Sequence, residues 1–448
     1  MLKLNSETTA VGRGQSMRST VALPCVLLAF TACLPAAQAK DGESQTYYTR
    51  ATVGEDHHDG LSPQTAWKTV RRSARDLGPG DTLIIGPGLY REGVELQGHG
   101  LADRPLRILG DSSGKWTGDP PGPVVMAGAV PIDESIFQPE GAPGVFKAIF
   151  SDFKVVGIVE MDGDQHRYRS VHDPISDIPY VERVRNEKRS FWYDEESHLL
   201  YIHTSDEQSP TTHELELFQY FAGFRLVGKP HVWVGGLTFR HYADAGIHFR
   251  DGSDYGRAFD NVAFGSRQGF RILRSSHVQI VDNIMFRHEN SGAYFLRGSI
   301  NGLVQGNLSY ENAVGLRFSS DSNAGLVIGN TILHNRSGGL SFESIGYAIA
   351  LHNRFEGNSA QLRLYKSSFR SDHNCFEVST KHGETLVKSE LITYYEGLEP
   401  YVAAMGQDLN SREGNCGVGI EKLDVGMLHE QSLSYKDQAV KELAQPGS

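Results

Sequence analysis

The chain reads as an all-β protein, a parallel β-helix, and two repeats with a common period point to it. Seven short segments recur between Gly223 and Leu364 (GFRL, GIHF, GFRI, GAYF, GLRF, GLSF and QLRL), starting 23, 23, 23, 23, 24 and 22 residues apart. An asparagine keeps nearly the same step at Asn261, Asn283, Asn307, Asn330, Asn353 and Asn374. A fixed step of this size marks stacked supersecondary units. Within each unit, as in VQIVDNIMFRHENSGAYFL from Val278 to Leu296, runs of four or five residues alternate apolar with polar. Alternation with period two means strand, and no run is long enough for a helix in every unit. The Leu-x-x-Leu-x-Leu scaffold of a leucine-rich repeat is absent. One coil per repeat follows, with the Gly-led runs stacked as one parallel sheet. The asparagine column is expected at a corner that needs a left-handed residue, its amides hydrogen-bonding along the stack.

In chain order, residues 1–39 read as a signal peptide: Arg18 precedes the apolar run Val21 to Leu34, and Ala37-Gln38-Ala39 supplies the cleavage site. Residues 1–16 are polar, so Met17 is an alternative start to Met1. A lipoprotein anchored at Cys33 would have Phe30 where a leucine is usual. The expected location is therefore secreted or periplasmic. The apolar run is too short to span a bilayer, and no other segment is apolar enough to do so. Cys25 and Cys33 leave with the signal; Cys375 and Cys416 remain, either bridged in an oxidising compartment or as two buried thiols.

Residues 40–129 form an N-terminal cap and the first coils. Tyr47 to Val53 reads as a strand. Thr65 to Leu77 carries Trp67, Val70, Ala74 and Leu77 on one stripe of a capping helix, started by Ser62-Pro63 and ended by Gly78-Pro79-Gly80. Such a helix would cover the open apolar end of the coil, with Lys68, Arg71, Arg72 and Arg75 on its solvated face. The cluster Glu55, Asp56, His57, His58 and Asp59 reads as a turn, with no metal assigned. Strands follow at Thr82–Ile85, Leu106–Leu109 and Val124–Met126. The rhythm then stops for residues 130–216, a β-rich insertion with a hairpin at Phe191–Thr204. The main coils span 217–378. A tail, 379–448, follows without repeat, irregular with a short helix between Val425 and Leu443.

The stretch from Tyr47 to Glu92, YYTRATVGEDHHDGLSPQTAWKTVRRSARDLGPGDTLIIGPGLYRE, resembles the opening segment of bacterial members of the pectate-lyase-like right-handed parallel β-helix superfamily. The resemblance implies a right-handed coil, and the insertion is similar to the small β-sandwich subdomain of some β-helix glycosidases and lyases. That superfamily holds lyases, hydrolases, epimerases and binding proteins, so the fold does not assign a reaction.

The repeat also works as a ruler. In each Gly-led strand the first and third residues after the lead are apolar and must point inward. The second residue then points outward: Arg225, His248, Arg271, Tyr294, Arg317, Ser341 and Arg363, at steps of about 4.8 Å. Further along the strands come Arg250, Glu343 and Tyr365, then Arg274, Arg297 and Lys366. A formal charge of −11 argues against a general nucleic-acid binder. Cations gathered on one face of an acidic protein suit a polyanionic, uronate-containing polysaccharide, whose carboxylates arginine can bind in bidentate fashion. Arg225, Arg250, Arg274, Arg297, Arg317, Arg363 and Lys366 are the expected substrate-binding residues, and a monomer is expected.

Two chemistries fit. In β-elimination His248 or Tyr294 would be base or acid, with Arg271 neutralising the uronate carboxylate. Related lyases often use calcium, the one ion the resemblance allows, yet these rungs offer no carboxylate set for it. Hydrolysis needs two carboxylates. Glu343 matches the catalytic glutamate of β-helix xylosidases, but Ser319 stands where their aspartate would be, and the nearest acid is Asp321. A C5 epimerase and a non-catalytic polysaccharide-binding protein are the remaining alternatives. His288, Glu289, Glu311 and His334, just before Gly-led strands, are second-tier candidates.

Overall fold

A computed structural model describes residues 44–162, 165, 167–172, 177–322, 324–343, 347–365, 368–378, 385–389 and 394–416. The expected signal segment, Lys366 and the region Val425–Leu443 lie outside them. The described residues belong to one compact unit.

Three ten-stranded sheets run the length of a right-handed solenoid, and each coil adds one strand to each. One coil shows the plan: Val232–Gly235 in the first sheet, Thr238–Arg240 in the second, Ala245–Arg250 in the third. Pairing along the stack is parallel, as far as the last strand of the third sheet, Tyr394–Tyr395, which is antiparallel. Inward side chains build one continuous core in which equal residues stack: the rings of Phe295, Phe318 and Phe342 follow one another at 4.9 Å.

The recurrent glycine is a matter of space. A Cβ on Gly269 would lie 2.5 Å from the Gly292 carbonyl oxygen and 2.9 Å from His288 Nε2. The next rung and the corner side chain leave room for hydrogen only.

The asparagine column forms the expected ladder. The Nδ2 of Asn261, Asn283, Asn307, Asn330 and Asn353 each donates to the next Oδ1, at 2.9–3.1 Å. The left-handed residue of that corner, however, is the one before: Asp260, Asp282, His352 and His373 have positive φ, as do Gly306 and Gly329. The amide must reach along the stack from ordinary backbone, so the turn falls to its neighbour. A second ladder, missed in the sequence, runs Asn312–Asn335–Asn358 at the other corner.

The helix expected over residues 65–77 is reduced to Val70–Ser73, preceded by a 3-10 turn at Pro63–Thr65. Ala66 is extended, and Trp67 pairs with Thr49 as a β-bridge, so the apolar stripe is buried through two conformations. Thr69 caps the short helix through its hydroxyl, which accepts from Arg72 N.

Between residues 129 and 218 the chain builds two further sheets, of three and five strands, with a core of their own. The hairpin lies at Ser190–Asp194 and Leu199–His203. Past residue 378 the stack goes on. Thr385–Ser389 pairs with Ala360–Tyr365, and Arg412–Glu413 with Cys375–Glu377. Cys375 and Cys416 are disulfide-bonded, their Cα atoms 5.7 Å apart.

Candidate active site

The third sheet carries the outward column in unbroken register: Glu95, Arg225, His248, Arg271, Tyr294, Arg317, Ser341, Arg363 and Lys388. A shift of one residue would have sent every one of these side chains inward. The column is longer than the repeats alone suggest, and Glu95 at its head is an acid, paired with Arg225 at 3.2 Å.

Acids from neighbouring columns also answer the arginines. Asp251, at the left-handed end of its strand, takes the Nε of both Arg250 and Arg274, at 2.7 and 2.6 Å. Glu343 takes Arg317 Nε at 2.9 Å and Nη2 at 2.5 Å. Asp244 takes Arg271 Nη1 at 2.7 Å. Arg363 donates to the Tyr365 hydroxyl at 2.8 Å instead of to an acid. Arg297 is exposed and has no ionic partner among the described residues. Four carboxylates thus meet five of these seven arginines, and the face keeps its positive surplus.

His248 points to this side but is not open to it: only 1% of its side chain is exposed. The half-exposed Phe221 ring lies 6.1 Å away, and Asp244 Oδ2 lies 3.3 Å from Nδ1. Burial first, then Arg271, Arg250 and Arg225, push its pKa down to about 3. His248, expected as base or acid of the site, is thus a buried imidazole beneath the face and not one of its exposed side chains. Asp244 is buried as well, and burial raises its pKa against the pull of Arg271. Sequence reading missed Asp244 because it sits in the corner, two residues before the Gly246 lead.

Around these two residues several buried polar atoms lack a hydrogen-bond partner: Asp244 Oδ2, both ring nitrogens of His248, Gln268 Oε1 and Arg271 Nε. Buried polar atoms are nearly always satisfied, so each of these calls for an explanation.

Tyr294 stands one rung from Arg271 and one from Arg317. Its hydroxyl is 2.8 Å from Ser319 Oγ, and the Arg317 guanidinium lies 4.7 Å from the ring centre. Arg317 Nη1 also donates to Asn290 Oδ1 at 2.7 Å. Arg271, Tyr294 and Arg317 are all half-buried.

Glu343 is held by Arg317 and by Ser341 Oγ at 3.2 Å. Four rungs separate the strand that Asp244 precedes from that of Glu343, about 19 Å along the stack. They are also offset along the strand, Asp244 two residues before the Gly246 lead and Glu343 four residues after the Gly339 lead, so the two carboxylates do not face each other across neighbouring rungs.

The second-tier residues are structural. His288 is buried against the carbonyls of Ala263 and Ser266, and burial lowers its pKa to about 4. Glu289 pairs with Arg167 of the insertion and Glu311 with Arg287. His334 holds a left-handed corner. The repeated Glu-Asn pairs are out of register, because Asn312 accepts from the His288 N–H and not from Asn290. Among the described residues the cluster of three side chains able to hold a metal ion lies elsewhere, at Glu55, His57 and His58.

Residues 222–381 match the family described as "Right handed beta helix region", and no curated protein matches the chain. Among solved structures, one described as the complex structure of XylC with xylose is 15% identical, with a TM-score of 0.57, covering 77% of this chain and 68% of that one. A glycoside hydrolase is 10% identical (77% and 95% covered, TM-score 0.46). The pectate lyase Pel9A is also 10% identical (86% and 84% covered, TM-score 0.44). At 15% identity the likeness to the first is one of fold, and the family match agrees with the right-handed β-helix expected from the sequence.

Proposed function

We propose that the chain is an exported carbohydrate-active enzyme that cleaves an acidic, uronate-containing polysaccharide by β-elimination on the outer face of the third sheet. The observation that carries this reading is Tyr294 set between Arg271 and Arg317 on three adjacent rungs in register.

Elimination asks for a cation to neutralise the uronate carboxylate and so favour loss of the C5 proton, and for a group that moves protons. Arg271 supplies the charge. Its Nη1 is fixed by Asp244, and its Nε is left without a partner. In a syn elimination one oxygen suffices: the Tyr294 hydroxyl gives its proton to the departing glycosidic oxygen as the C4–O bond breaks and the double bond forms, and its oxygen takes the C5 proton in return, so the tyrosine ends protonated as it began. Asp244 and His248 act beneath as positioning residues. Arg317, held by Glu343, and the exposed Arg297 extend the binding face to neighbouring sugar carboxylates.

Hydrolysis is the second reading, kept by the buried Asp244, whose pKa burial raises, and by Glu343, but the wide gap between them and Ser319 in the expected aspartate position favour elimination. Incubation with alginate, pectate and a glycosaminoglycan, with and without chelator, tests the choice. An ultraviolet absorbance rise from an unsaturated uronate is the expected result. Reducing ends released from a neutral glycan, with no unsaturated product from any polyuronate, would overturn it.

A further inference from the structure

The turn Gly54–Gly60 carries two histidines and three acids, and the structure divides them. The aspartates serve the fold. Asp56 accepts from Lys68 N, Thr69 N and Thr69 Oγ1, at 3.0, 2.8 and 2.9 Å. Asp59 accepts from Leu61 N and Thr65 Oγ1, at 3.0 and 2.7 Å. Glu55, His57 and His58 stay outside that network, and their ligand atoms all lie within 4.8 Å of one another.

Two further observations bear on a ligand. His58 Nδ1 lies 3.2 Å from the Ala66 carbonyl oxygen. A carbonyl can only accept, so Nδ1 carries the proton and the lone pair of Nε2 is free. Metal-ligating histidines are commonly oriented by this kind of hydrogen bond. The backbone beneath is also fixed: Glu55 N donates to Ala66 O, His58 N to Glu55 O, and Trp67 Nε1 to His58 O. Gly60 makes the turn possible, because with φ +73° a side chain there would be strained and would strike the Trp67 ring. The three ligands therefore stand on a rigid base with the buried Trp67 as its floor.

We propose that Glu55, His57 and His58 form a binding site for a divalent transition-metal ion, remote from the third-sheet face. Two imidazoles and one carboxylate suit zinc, with a fourth position left to water, and do not suit calcium, which prefers six to eight oxygens. A metal bound only by the folded turn stabilises the fold by mass action.

The test is titration of the full chain with zinc ion alone, followed by calorimetry and by thermal unfolding. One saturable zinc per chain is expected, with a rise in Tm. His57→Ala and His58→Ala should each weaken binding at least about tenfold and abolish the zinc-dependent rise. His277→Ala, in a separate ring stack with Tyr255, should leave both unchanged. His57 is 75% exposed, so its variant should keep the metal-free Tm of the wild type, which shows that the variant has folded. Absence of saturable binding, or binding that persists in both His57→Ala and His58→Ala, would overturn the proposal.

Discussion

Arg317 places its guanidinium 4.7 Å from the centre of the Tyr294 ring while giving Nε and Nη2 to Glu343. The arginine is thus clamped from one side by a carboxylate and lies against the aromatic group on the other. This relationship makes Glu343 a positioning residue in the elimination account and a catalytic one in the hydrolytic account, and the two readings part at this residue.

Glu343→Gln keeps the shape and a hydrogen-bond acceptor but removes the charge. The expected result is a fall in kcat/KM of about tenfold, mostly through KM, measured on a polyuronate. A catalytic carboxylate would instead cost about 10²–10⁴-fold in kcat.

Asp244→Ala strips a buried partner from Arg271 and leaves His248 without its acidic neighbour. Breaking a buried pair from one side is costly, so a loss of about 3 kcal/mol is expected in urea denaturation. Asp244→Asn, which can still accept from Arg271 Nη1, should recover part of it.

Stability should fall with acid through the buried imidazoles. His248 and His288 hold protons less readily folded than unfolded, their pKa values lowered to about 3 and about 4. Their contribution is complete above the ordinary histidine pKa of about 6.5 and is lost as the pH falls toward the folded values. Each adds a slope of about 1.4 kcal/mol per pH unit within that window. Denaturation at a series of pH values should show this slope reduced by that amount in His248→Gln.

Asn307→Ala should be among the most harmful single changes in the coil. Its amide donates to Ile280 O, Gln305 O and Asn330 Oδ1, and its Oδ1 accepts from Asn283 N and Nδ2. Several buried groups lose their partner at once, so a loss of roughly 3–5 kcal/mol is expected by equilibrium unfolding.

What could be read in the sequence followed from periodicity. One outward residue per repeat, from Arg225 to Arg363, was enough to place a whole column, because parallel strands in register stack equal positions. Corner residues resisted this reading. Asp244 belongs to no repeated column of its own chemistry, since its equivalents one and two coils on are Arg267 and Asn290. The Glu289-Asn290 and Glu311-Asn312 pairs look equivalent in sequence but are shifted by two residues in space, Glu311 beside Arg287 and Asn312 beside His288. His248 follows the outward pattern, yet Phe221 and Asp244, from the corners beside it, close it off. The shortening of the helix at 65–77 likewise depends on Asp56 reaching Lys68 N and Thr69 N, a contact no local pattern announces.

The most direct measurement is turnover by Tyr294→Phe, followed as formation of unsaturated uronate from the polyuronate that the wild type accepts. The ring that lies against Arg317 is kept, and only the hydroxyl facing Ser319 is lost. The account predicts unchanged binding of the polysaccharide and a kcat at least about 10²-fold lower. Turnover at the wild-type rate would contradict it.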